Sequence, residues 1–365
     1  MRRVFLLIAA VSLSFASNSF VLNSECKKCH ETIYKEFMSA QHANSTIFKD
    51  KIHAAVWAKH PKNKKMKKYG CAKCHTPAAN DIDKLSKKGA AYLPDKNNPT
   101  QNDGISCAYC HRIESIKHGK MLNSNIISKE PKKYFGNLQD HIKSPFHKID
   151  TGNKNFKNGN VCIGCHSHKK NKFNLNVCST NIKNELDKAN CVSCHMPKVK
   201  GSVSNLRETK THAFHGFPGL HIHSNMLSKY VDIELLREID DFWISINNKS
   251  SHALTLHPLR VMKLEVSVKR GGKVIKLPSK IFLRALGRDG KPTPPWLATE
   301  IIKNTSIKAN EKRSIKYNFH LQKGDEVKVV LGYYLVNPKL IKKLGLENDE
   351  KAKKFHILKE ESFKI

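Results

Sequence analysis

Hydrophobic and polar positions fall into two regimes along this chain. Beyond about residue 230 they alternate with a period of two. Leu264, Val266 and Val268 stand between Lys263, Glu265, Ser267 and Lys269, and Gly271-Gly272 turns the chain toward Val274. The alternation recurs at Ile315, Tyr317, Phe319 and Leu321, and again at Val327, Val329, Leu331, Tyr333 and Leu335. A strand that buries one face and wets the other reads in this way, so each run predicts a strand. With further candidates at Asp241 to Ile246 and Ile301 to Ile307, roughly six to eight short antiparallel strands are expected, which fits a β-sandwich. Pro338 to Leu344 predicts a short closing helix stopped by Gly345.

Before residue 230 the apolar positions come as short patches among Lys, Asn and Gly, which predicts short helices and long loops. The clearest helical stripe is Ile33, Tyr34, Phe37 and Met38 within ETIYKEFMSAQHA. At the very start, Arg2 and Arg3 precede an apolar stretch from Val4 to Leu13 and the small-residue pattern Ser14-Phe15-Ala16. That order is the signature of a cleaved secretory signal, and the stretch is about half of the ~20 residues a membrane-spanning helix needs. No later apolar run is long enough to span. The expected organisation is a signal peptide over 1–16, a loop-rich domain over 17–228, a β-sandwich domain over 229–336, and a C-terminal helix and tail over 337–365.

The loop-rich domain holds the chemistry. Five times it spells Cys-x-x-Cys-His: Cys26, Cys29 and His30; Cys71, Cys74 and His75; Cys107, Cys110 and His111; Cys162, Cys165 and His166; Cys191, Cys194 and His195. Each spelling is an attachment site for c-type haem. The two thiols add across the porphyrin vinyl groups, and the adjacent His reaches the iron as proximal ligand. Zinc sites need no obligatory trailing His, and ten of the eleven cysteines are used in this one pattern. Five covalent c-type haems are therefore expected, in a multihaem cytochrome domain followed by an all-β sandwich-like domain. The spacing between motifs is irregular, which excludes a simple repeat array. Cys178 is the odd cysteine, read as a buried or unpaired thiol.

Haem attachment outside the cytoplasm agrees with the signal segment, and the expected location is the periplasm. The formal charge of +34 omits the haems; each contributes about −1 when ferric and about −2 when ferrous, so the loaded protein stays strongly cationic. Stretches such as Lys62 to Lys68 make a basic surface suited to acidic redox partners or small anions. Export and the lack of any nucleic-acid motif argue against nucleic acid.

Fifteen of the twenty histidines remain once the proximal ones are removed. His42 lies twelve residues beyond His30, roughly 18 Å on a straight helix, so it cannot cap the same iron and would have to cap another. His147 sits in KSPFHKID, His212 and His215 in THAFHGFPGLH, and His252 in INNKSSHALTLHP at the first turn of the β-domain. A ligand from that turn would dock the β-domain on the haems. Met196, directly after His195, is too close to the proximal side to reach round the ring.

These contexts together resemble the cytochrome c-552/c-554-type multihaem family. The resemblance rests on CKKCHETIYKEFMSAQHA, CAKCHTPAA, GISCAYCHRI, SPFH, CVSCHMP and FHGFPG in that order. It extends to ISINNKSSHALTLHPLRVMKLEVSV, where Ser251 replaces the family's Gly and Thr255-Leu256-His257-Pro258 stands where Pro-Thr-Gly is expected. The resemblance covers about residues 24–345. It implies that His42, His147, His215 and His252 occupy distal-ligand positions, while His212, His118 and His141 compete for the fifth.

Two functions are compatible with these residues. One is a carrier that passes single electrons between a membrane quinol dehydrogenase, or another multihaem cytochrome, and a periplasmic terminal reductase. The other is a reductase of a small nitrogen or sulfur compound (nitrite, hydroxylamine, sulfite) at one five-coordinate haem. Ammonia-forming nitrite reductases typically use Cys-x-x-Cys-Lys at that haem, and no such motif occurs here. No catalytic residues outside the haems are expected, and the carrier reading is preferred.

Overall fold

The computed structural model of the chain describes residues 20–66, 68–87, 92–138, 143–180 and 191–365. The expected signal segment and His141 lie outside the described residues. Up to residue 230 the described residues form short helices, loops and four two-stranded ladders. It opens with the helices α1 (Asn23–Lys27), α2 (Glu31–Ser39) and α3 (Lys51–Lys59). No helix is longer than nine residues among those described, too short to be stable without tertiary packing. The stripe read from the sequence is on α2, with Phe37 buried. Asp50 caps α3 by accepting the His53 amide at 3.0 Å, which satisfies one of the first-turn donors.

The second half is built from ten strands. In chain order these are β1 (Val231–Arg237), β2 (Phe242–Asn248), β3 (Val261–Arg270), β4 (Lys273–Lys276), β5 (Lys280–Arg288), β6 (Lys291–Pro292), β7 (Glu300–Asn304), β8 (Lys312–Tyr317), β9 (Glu326–Tyr334) and β10 (Phe355–Lys364). One sheet runs β8-β2-β1 and the other β6-β5-β3-β9-β10, with β4 beside β3 and β7 beside β5; every pairing is antiparallel. The alternation puts Phe242, Ile244 and Ile246 from one sheet and Leu264, Val268, Val327, Val329, Leu331 and Tyr333 from the other into a common core at 0 % exposure. Burying each such side chain stabilises by about 1.5–3 kcal/mol.

The structure differs from the sequence reading at three places. The stretch 355–365, expected as a tail, is the edge strand β10, paired with β9 along its length. Lys359, Glu360 and Glu361 follow one another in it, on alternating faces; charges on an edge strand protect it from adventitious pairing, and this run masks the apolar alternation. β1 and β5 are two further strands outside the sequence reading: β1 alternates Val231, Ile233 and Leu235 with Asp232 and Glu234, whereas β5 has no clean period of two. The strand β8 ends at Tyr317, and Phe319 and Leu321 lie beyond it.

Helix α3 belongs to the first half of the chain, yet its Ile52 packs into the β-domain core. Asn171 donates to the carbonyls of Pro295 and Ala298 at 2.8 and 2.7 Å, and the Tyr333 hydroxyl donates to Leu220 O at 2.8 Å. The two halves therefore share a boundary made of core contacts and hydrogen bonds.

Candidate functional site

Each Cys-x-x-Cys-His run folds as a single tight turn. The His30 amide donates to Cys26 O at 2.9 Å and the His75 amide to Cys71 O at 3.0 Å. Cys107–His111 and Cys191–His195 are one-turn helices, and Cys162 lies at the junction of a 3-10 turn with the helix Ile163–His166. Closing residue one against residue five brings both thiols and the imidazole to one side of the turn.

The imidazoles of four of these motifs are held by their Nδ1 atoms. His30 donates to Val203 O at 2.7 Å, His75 to Ser45 O at 3.0 Å, His111 to Phe135 O at 2.7 Å and His195 to Pro218 O at 2.5 Å. A carbonyl only accepts, so each Nδ1 must carry the proton, and Nε2 is left with a free lone pair. That is the tautomer a metal requires.

Four of the five face a second imidazole. His30 and His147 have ring centres 6.4 Å apart, His111 and His215 6.2 Å, His195 and His252 6.2 Å, and His166 and His42 5.8 Å. Two imidazole nitrogens, each bound at about 2.0–2.1 Å and each about 1.1 Å from its ring centre, need about 6.2 Å between centres. The spacing fits one iron between each pair. His215 and His252 also donate Nδ1–H to carbonyls, of Ala213 at 2.7 Å and Ala253 at 2.9 Å. Burial pulls His42 and His215 down to about 3 and His166 to about 4, so these rings are neutral and able to donate a lone pair. The buried Nδ1 of His42 has no protein partner, as expected of a ring whose polar partner lies off the chain. All four faced motifs borrow the opposing ring from a different stretch of chain, so the pairs fasten distant segments together.

The positions of these rings are set by their loops. Gly104 has φ +71°, and a Cβ there would stand 2.9 Å from His42 O; the Ile105 amide donates to that carbonyl at 3.2 Å. Only glycine permits this approach. In the β-domain turn, Asn248 is fully buried, donates to His252 O at 2.9 Å and Lys308 O at 2.7 Å, and accepts from the Ser250 amide and hydroxyl at 3.0 and 2.7 Å.

His212 is placed differently from its expectation as a distal candidate. Its Nδ1 meets Gly201 O at 3.0 Å and its Nε2 meets Glu36 Oε1 at 2.8 Å, at 1 % exposure. Both nitrogens are taken, so neither is available to an iron. Glu36 accepts also from the His215 amide at 3.0 Å, which makes the His212–Glu36 pair a brace for the His215 loop. Glu36 escaped the sequence reading; an acid facing inward on α2 in a Lys-rich domain was its only signal. His118 is exposed just past the strand Ile113–Lys117.

His75 stands apart. Among the described residues no imidazole faces it at the spacing of the other four. His53 lies flat against it instead, with ring centres 3.9 Å apart and 5° between planes, too close to admit an iron. His53 is fixed by the Tyr69 hydroxyl at 2.8 Å, and burial depresses it to about 2.

The attachment turns are contiguous. Thiols of different motifs lie near one another in three pairs: Cys26 and Cys107, Cys74 and Cys165, and Cys162 and Cys191. The motif of Cys162 and Cys165 thus adjoins both the second and the fifth, and the first adjoins the third. Cys178 is half-buried on the strand Asn176–Ser179, and desolvation there raises its thiol.

Residues 25–112 match the family described as cytochrome c554 and c-prime. No curated protein matches the sequence. Among solved structures, the penta-haem cytochrome c552 from Thermochromatium tepidum superposes over 94% of this chain and 99% of its own, with a TM-score of 0.72 and 20% identity. A hypothetical protein from Pyrococcus horikoshii (TM-score 0.17, 14% identity, 28% of this chain and 75% of its own) and an oxidized superoxide reductase (TM-score 0.18, 10% identity, 29% and 79%) are similar only in part.

Proposed function

We propose that this chain, a multihaem c-type cytochrome by its motifs and its fold, holds five covalent haems and serves as a periplasmic electron carrier between a membrane quinol-oxidising partner and a terminal reductase. Each haem supplies a one-electron iron couple. The chain's residues do the rest. The ten motif cysteines tether, His30, His75, His111, His166 and His195 bind from the proximal side, and His147, His215, His42 and His252 close the opposite side of four irons. The observation that carries the reading is the set of four imidazole pairs spaced for an iron. An iron closed on both sides by histidine offers no position for a substrate, which is the arrangement of a carrier.

The proximity of thiols of different motifs supports electron exchange within one cluster. The basic surface suits acidic partners through long-range steering. No helix among the described residues is long and apolar enough to cross a membrane.

His75 sustains a second reading, reduction of a small nitrogen or sulfur compound at one haem that lacks a protein ligand on its far side. Electron paramagnetic resonance of the ferric protein decides between them. Five low-spin irons that ignore nitrite, cyanide and hydroxylamine support the carrier. One high-spin iron that binds any of these establishes the second reading in its place.

A further inference from the structure

Arg260 ends the loop that follows His252 and immediately precedes β3. Its amide donates to His257 O at 3.0 Å, and its guanidinium meets His221 Nε2 at 3.1 Å. Other arginines of the chain find oxygen acceptors. Arg270 pairs with Asp325, Arg313 with Glu311, Arg284 with Val177 O, Arg237 with Leu321 O and Arg112 with Ser128 O. Arg260 contacts only a ring nitrogen. Burial pushes its guanidinium below the usual arginine range, and among the described residues no carboxylate pairs with it. Of the acidic groups whose field reaches it, Cys178, Tyr333 and Asp50, Asp50 is the one carboxylate, and it already accepts from the His53 amide at 3.0 Å and Gln41 Nε2 at 2.9 Å.

His221 repeats the deficit. Its Nε2 accepts from Arg260, so its Nδ1 bears the proton, and that Nδ1 is buried with no protein partner. A half-buried cation with no carboxylate partner and a buried donor without an acceptor each carry a cost, and one anion near them relieves it. His166 is a proximal imidazole that lies within the field of Arg260. The group attached beside His166 would bring carboxylates of its own.

We propose that Arg260, backed by His221, is the counter-ion of a propionate on the haem of the Cys162–His166 motif, and so ties that haem to the loop residue that leads into β3. The inference rests on the proposed set of five haems. It makes Arg260 a positioning residue that also sets the potential of one centre. A cation beside a haem favours the reduced state, which carries one more negative charge, so its removal lowers that midpoint alone.

The test is a potentiometric titration of the five-haem protein beside Arg260→Met and Arg260→Lys, with haem content read by intact mass. Retention of five haems with one midpoint lowered in R260M and returned toward its original value in R260K is the expected result. Five haems with all midpoints unchanged overturns the proposal, as does a joint fall of all five, which marks a general loss of packing. A crystal structure of the unaltered holoprotein tests the same point without a variant. A propionate oxygen in hydrogen-bond reach of the guanidinium is expected, and its absence there overturns the assignment. Fewer than five haems in the unaltered protein overturns the haem count instead, a separate readout.

Discussion

Asn248→Ala should release His252, the ligand proposed for the fifth motif's haem, without touching it. The Asn248 amide is at 0 % exposure and makes four good hydrogen bonds, two donated to His252 O and Lys308 O and two accepted from Ser250. Each is worth about 1 kcal/mol net, and leaving buried partners unsatisfied adds to that, so the substitution costs about 3–5 kcal/mol. For a domain of this size the loss lowers its melting temperature by about 10 °C or more. The turn that presents His252 loses its anchor, and the ring centres of His252 and His195, now 6.2 Å apart, no longer hold that spacing. The assays are thermal denaturation followed by far-ultraviolet circular dichroism, and electron paramagnetic resonance of the ferric protein. One iron of the five should turn high-spin while the others stay low-spin. An unchanged melt with every signal in place refutes the reasoning about the loop. A lower melt with the fifth motif's signal in place refutes the ligand role of His252.

His212→Gln removes the imidazole that bridges Glu36 Oε1 and Gly201 O, and the loss of those two hydrogen bonds costs about 1–3 kcal/mol in chemical denaturation. The spin state of every iron should nevertheless stay as it was, because both nitrogens of His212 are already engaged by protein. Ile246→Ala opens a cavity between the two sheets and costs about 3–4 kcal/mol, read as a lower urea midpoint with haem content unaltered. Asp325 gives a pH dependence. The guanidinium of Arg270 holds its carboxyl down at about 2, below the unfolded value of about 3.9. Its contribution is therefore complete above about pH 4 and is lost as the pH falls from there through about 2. Solvent around Arg270 screens the pair to about 1 kcal/mol. Asp325→Asn should flatten the acid limb of the stability curve in that window and leave the neutral plateau lower, as measured by denaturation at each pH.

Sequence and structure divide this protein unevenly. Cys-x-x-Cys-His is a covalent requirement met within five consecutive residues, so the proposed attachment sites and proximal histidines are nominated without any fold. The same locality explains why the period-two runs around Val266, Ile315 and Val329 were legible as strands. β10 was not, because the consecutive charges Lys359, Glu360 and Glu361 interrupt the apolar alternation of this edge strand.

The far side of each iron is a matter of tertiary contact. His42 meets His166 and His147 meets His30 across more than a hundred residues, and loop residues such as Gly104 and Asn248 decide where each ring stands. His212 and His215, three apart in one short motif, take opposite roles only because Glu36 reaches the first. His53 lies flat against His75 because α3 packs into the β-domain and carries the ring with it. Residue type and spacing determine which groups can bind a haem; the three-dimensional path determines which of them face one another, since a pair of imidazoles is set by distance in space and leaves no period in the chain.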